Sequence, residues 1–134
     1  MIVERPGYMS HDQALQEMVS ADVLFEVRGL EPESRGMIPG KLLEDLAAGP
    51  QILALLPPDG AAAAVVEHAK AGVVVPSDDT EAIASALEDL HARWRSGVVW
   101  ESDTEAVRSY DRSVLVGRLA EILERLVGKQ DRAS

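Results

Sequence analysis

Short, almost wholly apolar segments alternate with longer segments of helical periodicity, and this alternation limits the fold more than any other feature of the chain. Residues 52–56 and 73–75 are the clearest apolar segments, and proline, glycine or aspartate residues bound each of them. Strands that face water on one side alternate apolar and polar residues, whereas strands covered on both sides do not. The pattern therefore predicts an α/β fold, with a parallel sheet flanked by helices.

The positions of these segments predict a parallel sheet of about four strands, at residues 2–3, 23–27, 52–56 and 73–75. The helical patterns lie at residues 10–20, 41–48, 61–69, 80–95 and 111–127. Ser10 with Gln13 and Asp78 with Glu81 have the spacing of capping boxes, and Gly49 is placed to end the helix before it. We expect one domain over residues 1–128, followed by a polar tail over residues 129–134.

Charge and composition exclude several classes of partner. Thirteen basic residues against 23 acidic ones give a net charge of -10, which argues against binding to a nucleic-acid backbone. No apolar run approaches the ~20 residues that a membrane helix needs, so we expect no membrane insertion. The chain has no cysteine, which rules out thiolate chemistry and cysteine zinc sites and fits a reducing compartment. We expect a cytoplasmic protein without a metal.

The segment RGMIPGKLLEDLAAG, residues 35–49, combines a turn-prone loop with a helix. Gly36 and Gly40 allow a ligand to approach the backbone closely, and the N–H groups of the helix's first turn favour a phosphate. Lys41 adds a positive charge there, and Glu44 could accept hydrogen bonds from the vicinal hydroxyls of a ribose. Spacing alone favours a solvent-exposed charged helix face of little energetic consequence, because weak motif matches are mostly false.

Several segments, in order, resemble the later part of the donor-binding domain of GT-B glycosyltransferases, the family-4-like "glycosyl transferases group 1". They are GYMSHDQALQEMVSADVLF, SRGMIPGKLLEDLAAG, ILALLPPDGAAAAVVEHAKAGVVVPSDDTEAIASALEDL and YDRSVLVGRLAEILERL. The resemblance covers most of the chain from Gly7 onward. Asp45 stands where the family usually carries an aromatic or apolar residue.

The resemblance implies that the chain binds a nucleotide-sugar donor, such as a UDP- or GDP-sugar. Glu44 would hold the ribose, and the backbone N–H groups of Gly36, Met37 and Ile38 would face the diphosphate or sugar. Arg35 and Lys41 are candidates for charge contacts, and Gly60 lies in a loop that would border the base. No residue of this chain is assigned as catalytic, because the acceptor domain that usually carries the catalytic base is not represented in it.

The resemblance also implies a Rossmann-like sheet that lacks the first two strands of the donor domain. In the family's strand order, 3-2-1-4-5-6, residues 23–27 would then keep an unpaired apolar edge, which invites pairing with another chain. We expect a homodimer, a strand exchange or a missing N-terminal acceptor domain, unless the N-terminal strand fills the gap. A non-catalytic α/β assembly module, natural or excised, is the alternative; another GT-B-fold activity, such as epimerisation or phosphorolysis, is a third.

Overall fold

The computed structural model describes residues 3–130, which form a three-stranded parallel sheet and seven helices. In chain order the elements are α1 (His11–Ser20), β1 (Val23–Val27), α2 (Pro32–Arg35), α3 (Gly40–Ala48), β2 (Gln51–Leu55), α4 (Ala61–His68), β3 (Gly72–Val75), α5 (Thr80–Arg95), α6 (Thr104–Arg108) and α7 (Arg112–Gln130). The strand order is β1-β2-β3. The predicted α/β class with a parallel sheet flanked by helices is confirmed.

The central strand β2 separates two apolar clusters because successive side chains of a strand point to opposite faces. Ile52, Ala54 and Leu56 lie in a cluster with residues of α3 and α4, which we call the inner face of the sheet. Leu53 and Leu55 pack with Val75 and the buried side of α5 on the other face, which we call the outer face. Every residue of β2 is therefore buried.

The strand predicted at residues 2–3 is not part of the sheet that the structure describes. Met1 and Ile2 lie outside the described residues, and Val3 is exposed and belongs to no strand. The sheet within residues 3–130 accordingly has three strands rather than about four. At the other end, α7 continues to Gln130, two residues into the predicted polar tail, and residues 131–134 lie outside the description.

Local capping explains where most helices begin and end. The predicted capping box is confirmed, because Gln13 N–H donates to Ser10 Oγ and Ser10 N–H donates to Gln13 Oε1. Gly49 ends α3 at a φ of 98°, a left-handed conformation that favours glycine. The predicted Asp78–Glu81 box is wrong: Asp79 is the N-cap of α5 and accepts from Ala82 N–H at 2.9 Å.

Two short helices, α2 and α6, lie outside the five helical segments predicted from the sequence. α6 is fixed to the inner side of the sheet, since Asp103 N–H donates to Ala69 O at 2.8 Å, and Val107 and Tyr110 pack against the inner cluster. The Asp103 carboxylate caps α6 by accepting from Ala106 N–H, and this hydrogen bond lowers the pKa of Asp103 below its ordinary value. Helix α7 thus starts from an anchored position.

Two apolar surfaces have no cover in the part of the chain that the structure describes. The outer face of β1 exposes Val23, Phe25 and Val27, while Leu24 and Glu26 are buried on the inner face. Helix α7 exposes an apolar stripe that includes Leu119. No helix within residues 3–130 is long and apolar enough to cross a membrane.

Candidate functional site

The carboxyl ends of the three strands lie at one edge of the sheet because the strands are parallel. The loops after β1, β2 and β3 all leave from this edge, which is where open α/β sheets bind ligands. The Arg28 N–H donates to Leu55 O at 2.8 Å and continues the β1–β2 ladder up to the edge. The loop that contains the predicted site residues therefore begins from an ordered position.

The loops after β1 and β2 are joined by a two-point contact between Arg35 and Asp59. Arg35 Nε lies 3.0 Å from Asp59 Oδ1 and 2.9 Å from Asp59 Oδ2. Gly60 packs against the backbone of the same arginine, since a Cβ at Gly60 would lie 3.4 Å from Arg35 O. Two of the predicted residues, Arg35 and Gly60, thus lie beside each other, although they are 25 positions apart.

Helices α3 and α4 both begin at this edge without side-chain caps. Their N-caps are Pro39 and Gly60, which have no side-chain acceptor to offer to the first-turn N–H groups. Such N–H groups, together with the positive end of the helix dipole, attract anions. Each of the two helices therefore offers first-turn N–H donors at this edge, beside the carboxylate of Asp59.

The remaining predicted contacts, Gly36, Met37, Ile38 and Glu44, are all on the surface. A Cβ placed on Gly36 would meet nothing within 4 Å, so the backbone there is open to a ligand. Glu44 lies on an exposed position of α3, and no hydrogen bond or ion pair within the described structure engages it. A surface carboxylate of this kind can accept hydrogen bonds from an incoming hydroxyl.

Lys41 has a different environment from the one that the sequence suggested. Its Nζ lies 2.6 Å from Asp45 Oδ2 and 3.6 Å from Glu26 Oε2, and it donates to Phe25 O at 3.2 Å. Arg28 Nε lies 3.5 Å from Glu26 Oε1. Lys41 is thus held by carboxylates of its own chain, and the two cations and two anions of this cluster balance in formal charge.

Burial is deepest at the carboxylates of this cluster. Asp45 is 0% exposed and Glu26 only 4%, whereas Lys41 is about half exposed. Within the described residues, Asp45 Oδ1 and Arg28 Nε have no hydrogen-bond partner. Buried ions are tolerated when they are paired, so the cluster's first role is to join α3 to β1.

Sequence reasoning missed Glu26, Arg28, Asp59 and the buried role of Asp45. Two signals were present: Glu26 is the one charged residue within β1, and Lys41 and Asp45 have the i,i+4 spacing of a helical ion pair. The Arg35–Asp59 contact had no local signal, because its partners belong to different loops.

Residues 3–130 contain no group of three or more histidine, cysteine, aspartate or glutamate residues that could hold a metal ion. Comparison with family models, with curated proteins and with solved structures found no match.

Proposed function

We propose that the chain is a donor-binding portion of a GT-B-type glycosyltransferase, which binds a nucleotide sugar at the carboxyl edge of its sheet. The donor is a nucleoside-diphosphate sugar such as a UDP- or GDP-sugar, and transfer requires an acceptor-binding domain. In this proposal the three strands belong to a larger Rossmann-like sheet in a cytoplasmic enzyme. The sequence segments that resemble the family are its first support.

The observation that carries the proposal is the junction of Arg35, Asp59 and Gly60. It brings together two loops of the kind that bind ligands, and with them the uncapped N-termini of α3 and α4. A diphosphate at this junction would accept hydrogen bonds from first-turn N–H groups. Fixed donors of this type stabilise the charge that develops on a departing diphosphate.

Within the proposed site, the roles of the two charged residues on α3 differ. Glu44 is exposed and unengaged within the described structure, so it is the better candidate for a direct contact with the ribose. Lys41 is bound to Asp45 and Glu26, so its contribution to a phosphate is reduced. Arg35 has its Nε committed to Asp59, and Gly36, Met37 and Ile38 contribute through their backbone.

Calorimetric titration tests the proposal. Nucleoside diphosphates with different bases, and the corresponding sugars, are titrated into the chain, into Glu44→Ala and into Glu67→Ala. Glu67 is a matched control because it is also an exposed glutamate on a helix, but it lies at the other end of α4 from Gly60. We expect saturable binding of one nucleotide, weakened at least tenfold by Glu44→Ala and unchanged by Glu67→Ala. Absence of heat from every ligand, with the chain folded by circular dichroism, contradicts the proposal.

A second candidate function is a non-catalytic assembly module. The uncovered apolar side chains of β1 and α7 favour it, because monomeric proteins seldom expose contiguous apolar surfaces of this kind. This candidate predicts an oligomer that forms equally well with and without nucleotide, whereas donor binding predicts the Glu44-dependent heat described above.

A further inference from the structure

The outer face of β1 and one side of α5 together form an uncovered apolar groove. Phe25 is paired in register with Leu53, so the two side chains share the outer face, but α5 covers Leu53 and leaves Phe25 53% exposed. Trp94 of α5 lines the same cleft as Val23. Leu87, about two helical turns before Trp94, lies on the same side of α5 and is half exposed. The groove is therefore bounded by β1 on one side and α5 on the other, and charged side chains also line its Val23 end.

Helix α7 carries an apolar stripe whose length matches that of the groove. The stripe consists of half-exposed aliphatic side chains on one side of the helix, Leu115, Leu119, Ile122, Leu123 and Leu126. Their span along the helix is ~17 Å at 1.5 Å per residue. The five residues of β1 span about the same length, ~17 Å. A helix laid along β1 would cover its whole outer face.

The α7 of the same chain starts on the wrong side of the sheet to fill the groove. Tyr110 packs against the inner cluster and lies 3.0 Å from His68 Nδ1 through its hydroxyl. Only residues 109–111 separate α6 from α7, which leaves at most ~10 Å of chain. The groove is on the outer face, so α7 starts away from it, and its apolar stripe is exposed rather than seated in the groove.

Charge also favours a second copy as the occupant. Residues 112–128 of α7 contain three arginines and two glutamates, a formal charge of +1. Residues 3–111 contain eight basic and 20 acidic residues, a formal charge of -12. The helix is thus the basic part of an otherwise acidic molecule, so of all surfaces of one copy it meets the least repulsion from the acidic body of another.

We propose that two copies of the chain form a symmetric dimer in which the α7 stripe of each copy lies on the outer face of β1 of the other. In a dimer with a single two-fold axis, the α7 stripe and the outer face of β1 are covered in both copies, since such an interface is self-complementary. The inference is independent of nucleotide binding, and it specifies the surface that an assembly role would use.

The area that such a dimer buries is sufficient for a stable complex. At roughly 50 Å² for each half-exposed side chain, the stripe and the β1 face of two copies remove on the order of 800 Å² of apolar surface from water. Since about 65% of a homodimer interface is apolar, the total would be about 1,200 Å², at the lower end of the range for stable complexes.

Because the natural chain has no cysteine, single cysteines can map the pairing without background. The Phe25→Cys and Leu119→Cys variants are mixed, allowed to exchange and treated with a short bismaleimide. We expect a covalent dimer that contains one of each variant. In the control, Gly117→Cys replaces Leu119→Cys. Gly117 lies two residues before Leu119 and therefore on the opposite side of α7, so the yield of its crosslink with Phe25→Cys should be low.

Three further outcomes would overturn the proposal. Predominant crosslinking of Leu119→Cys with itself means that α7 pairs with α7, and predominant crosslinking of Phe25→Cys with itself means that the β1 edges pair. A Phe25→Cys, Leu119→Cys double variant that crosslinks only within one chain means that α7 folds back onto its own sheet.

Sedimentation equilibrium on the natural chain supplies the second measurement. We expect a concentration-dependent dimer whose dissociation constant rises at least tenfold in Leu119→Asp and changes little in Gly117→Asp. A monomer at every concentration overturns the proposal. Nucleotide titration of Leu119→Asp keeps the dimer proposal separate from the nucleotide-binding proposal, because no residue of α7 belongs to the loops of the candidate site. Loss of the dimer with unchanged nucleotide binding would support both proposals.

Discussion

Strands β1 and β2 have similar lengths and similarly apolar sequences, VLFEV and QILAL, yet their environments differ. All five residues of β2 are buried, whereas the residues of β1 alternate between exposed and buried. The difference lies in the neighbours. β2 has a strand on each side and helices on both faces, while within the described structure β1 has one neighbouring strand and is covered on its inner face alone.

An apolar strand thus shows that cover is required but does not show what supplies it. For β2, helices α3, α4 and α5 of the same chain supply the cover. For the outer face of β1, none of the helices in residues 3–130 does so. Substitutions on the two strands should therefore differ in their effects, and the size of the difference reports whether another molecule covers β1 in solution.

The largest effect is expected where β2 meets β3. At Gly72 an added Cβ would collide with the carbonyl oxygen of Ile52, which is backbone and cannot move aside. Gly72→Ala should therefore lower the free energy of unfolding by at least about 3 kcal/mol, because the β2–β3 pairing must separate. Urea unfolding followed by circular dichroism measures this change.

The matched control is Gly117→Ala on α7, where an added Cβ meets nothing within 4 Å. It should stabilise the helix by roughly 0.5–1 kcal/mol, since alanine is the better helix former. A Gly72→Ala variant as stable as the natural chain would mean that the β2–β3 register differs from the one described here.

Truncating one apolar side chain on each strand compares the two environments directly. Ile52→Ala, at a fully buried position, should cost about 2–5 kcal/mol at any protein concentration. Phe25→Ala removes a half-exposed ring and should cost less than about 1 kcal/mol in dilute solution. Urea unfolding at two protein concentrations a hundredfold apart measures both.

If the proposed dimer forms, the cost of Phe25→Ala should increase at the higher concentration while that of Ile52→Ala stays the same. Equal costs for the two substitutions in dilute solution would contradict the described difference, because they would mean that β1 is as well covered as β2 within a single copy.

A smaller effect on stability is expected from substitutions in the ion pairs that join α3 to β1. Lys41→Met removes the cation that pairs Asp45 and Glu26, and it should destabilise the chain by about 2 kcal/mol, below the range for fully buried pairs because Lys41 is half exposed. Adding Asp45→Leu should recover part of this loss, because the uncompensated buried carboxylate disappears. Thermal unfolding of Lys41→Met and of the double variant Lys41→Met, Asp45→Leu measures both changes in stability.

If Lys41→Met left stability unchanged but abolished nucleotide binding, Lys41 would be a phosphate ligand rather than a structural cation. Lys70→Met serves as the control, because Lys70 is an exposed lysine outside the cluster.

The candidate site was predictable from the sequence to different degrees. The position of residues 35–41 at the carboxyl edge follows from the order of strand, loop and helix, and the structure has it there. The contact of Arg35 with Asp59 and the ion pairs of Lys41 with Asp45 and Glu26 were not predicted. Both depend on which side chains of different elements meet, and periodicity carries no information about that.

The sequence by itself determined the class of fold, the five longer helices and three of the strands, because period, capping residues and turn residues act within a few positions of one another. Tertiary structure decided that the sheet in the described residues has three strands, that Asp79 rather than Asp78 caps α5, and that α7 has no cover there. These outcomes depend on competition between distant segments for the same apolar surface. The apolar stripe of α7 and the apolar face of β1 both follow from the sequence. The anchoring of α6 on the inner side of the sheet makes α7 start away from the outer face of β1.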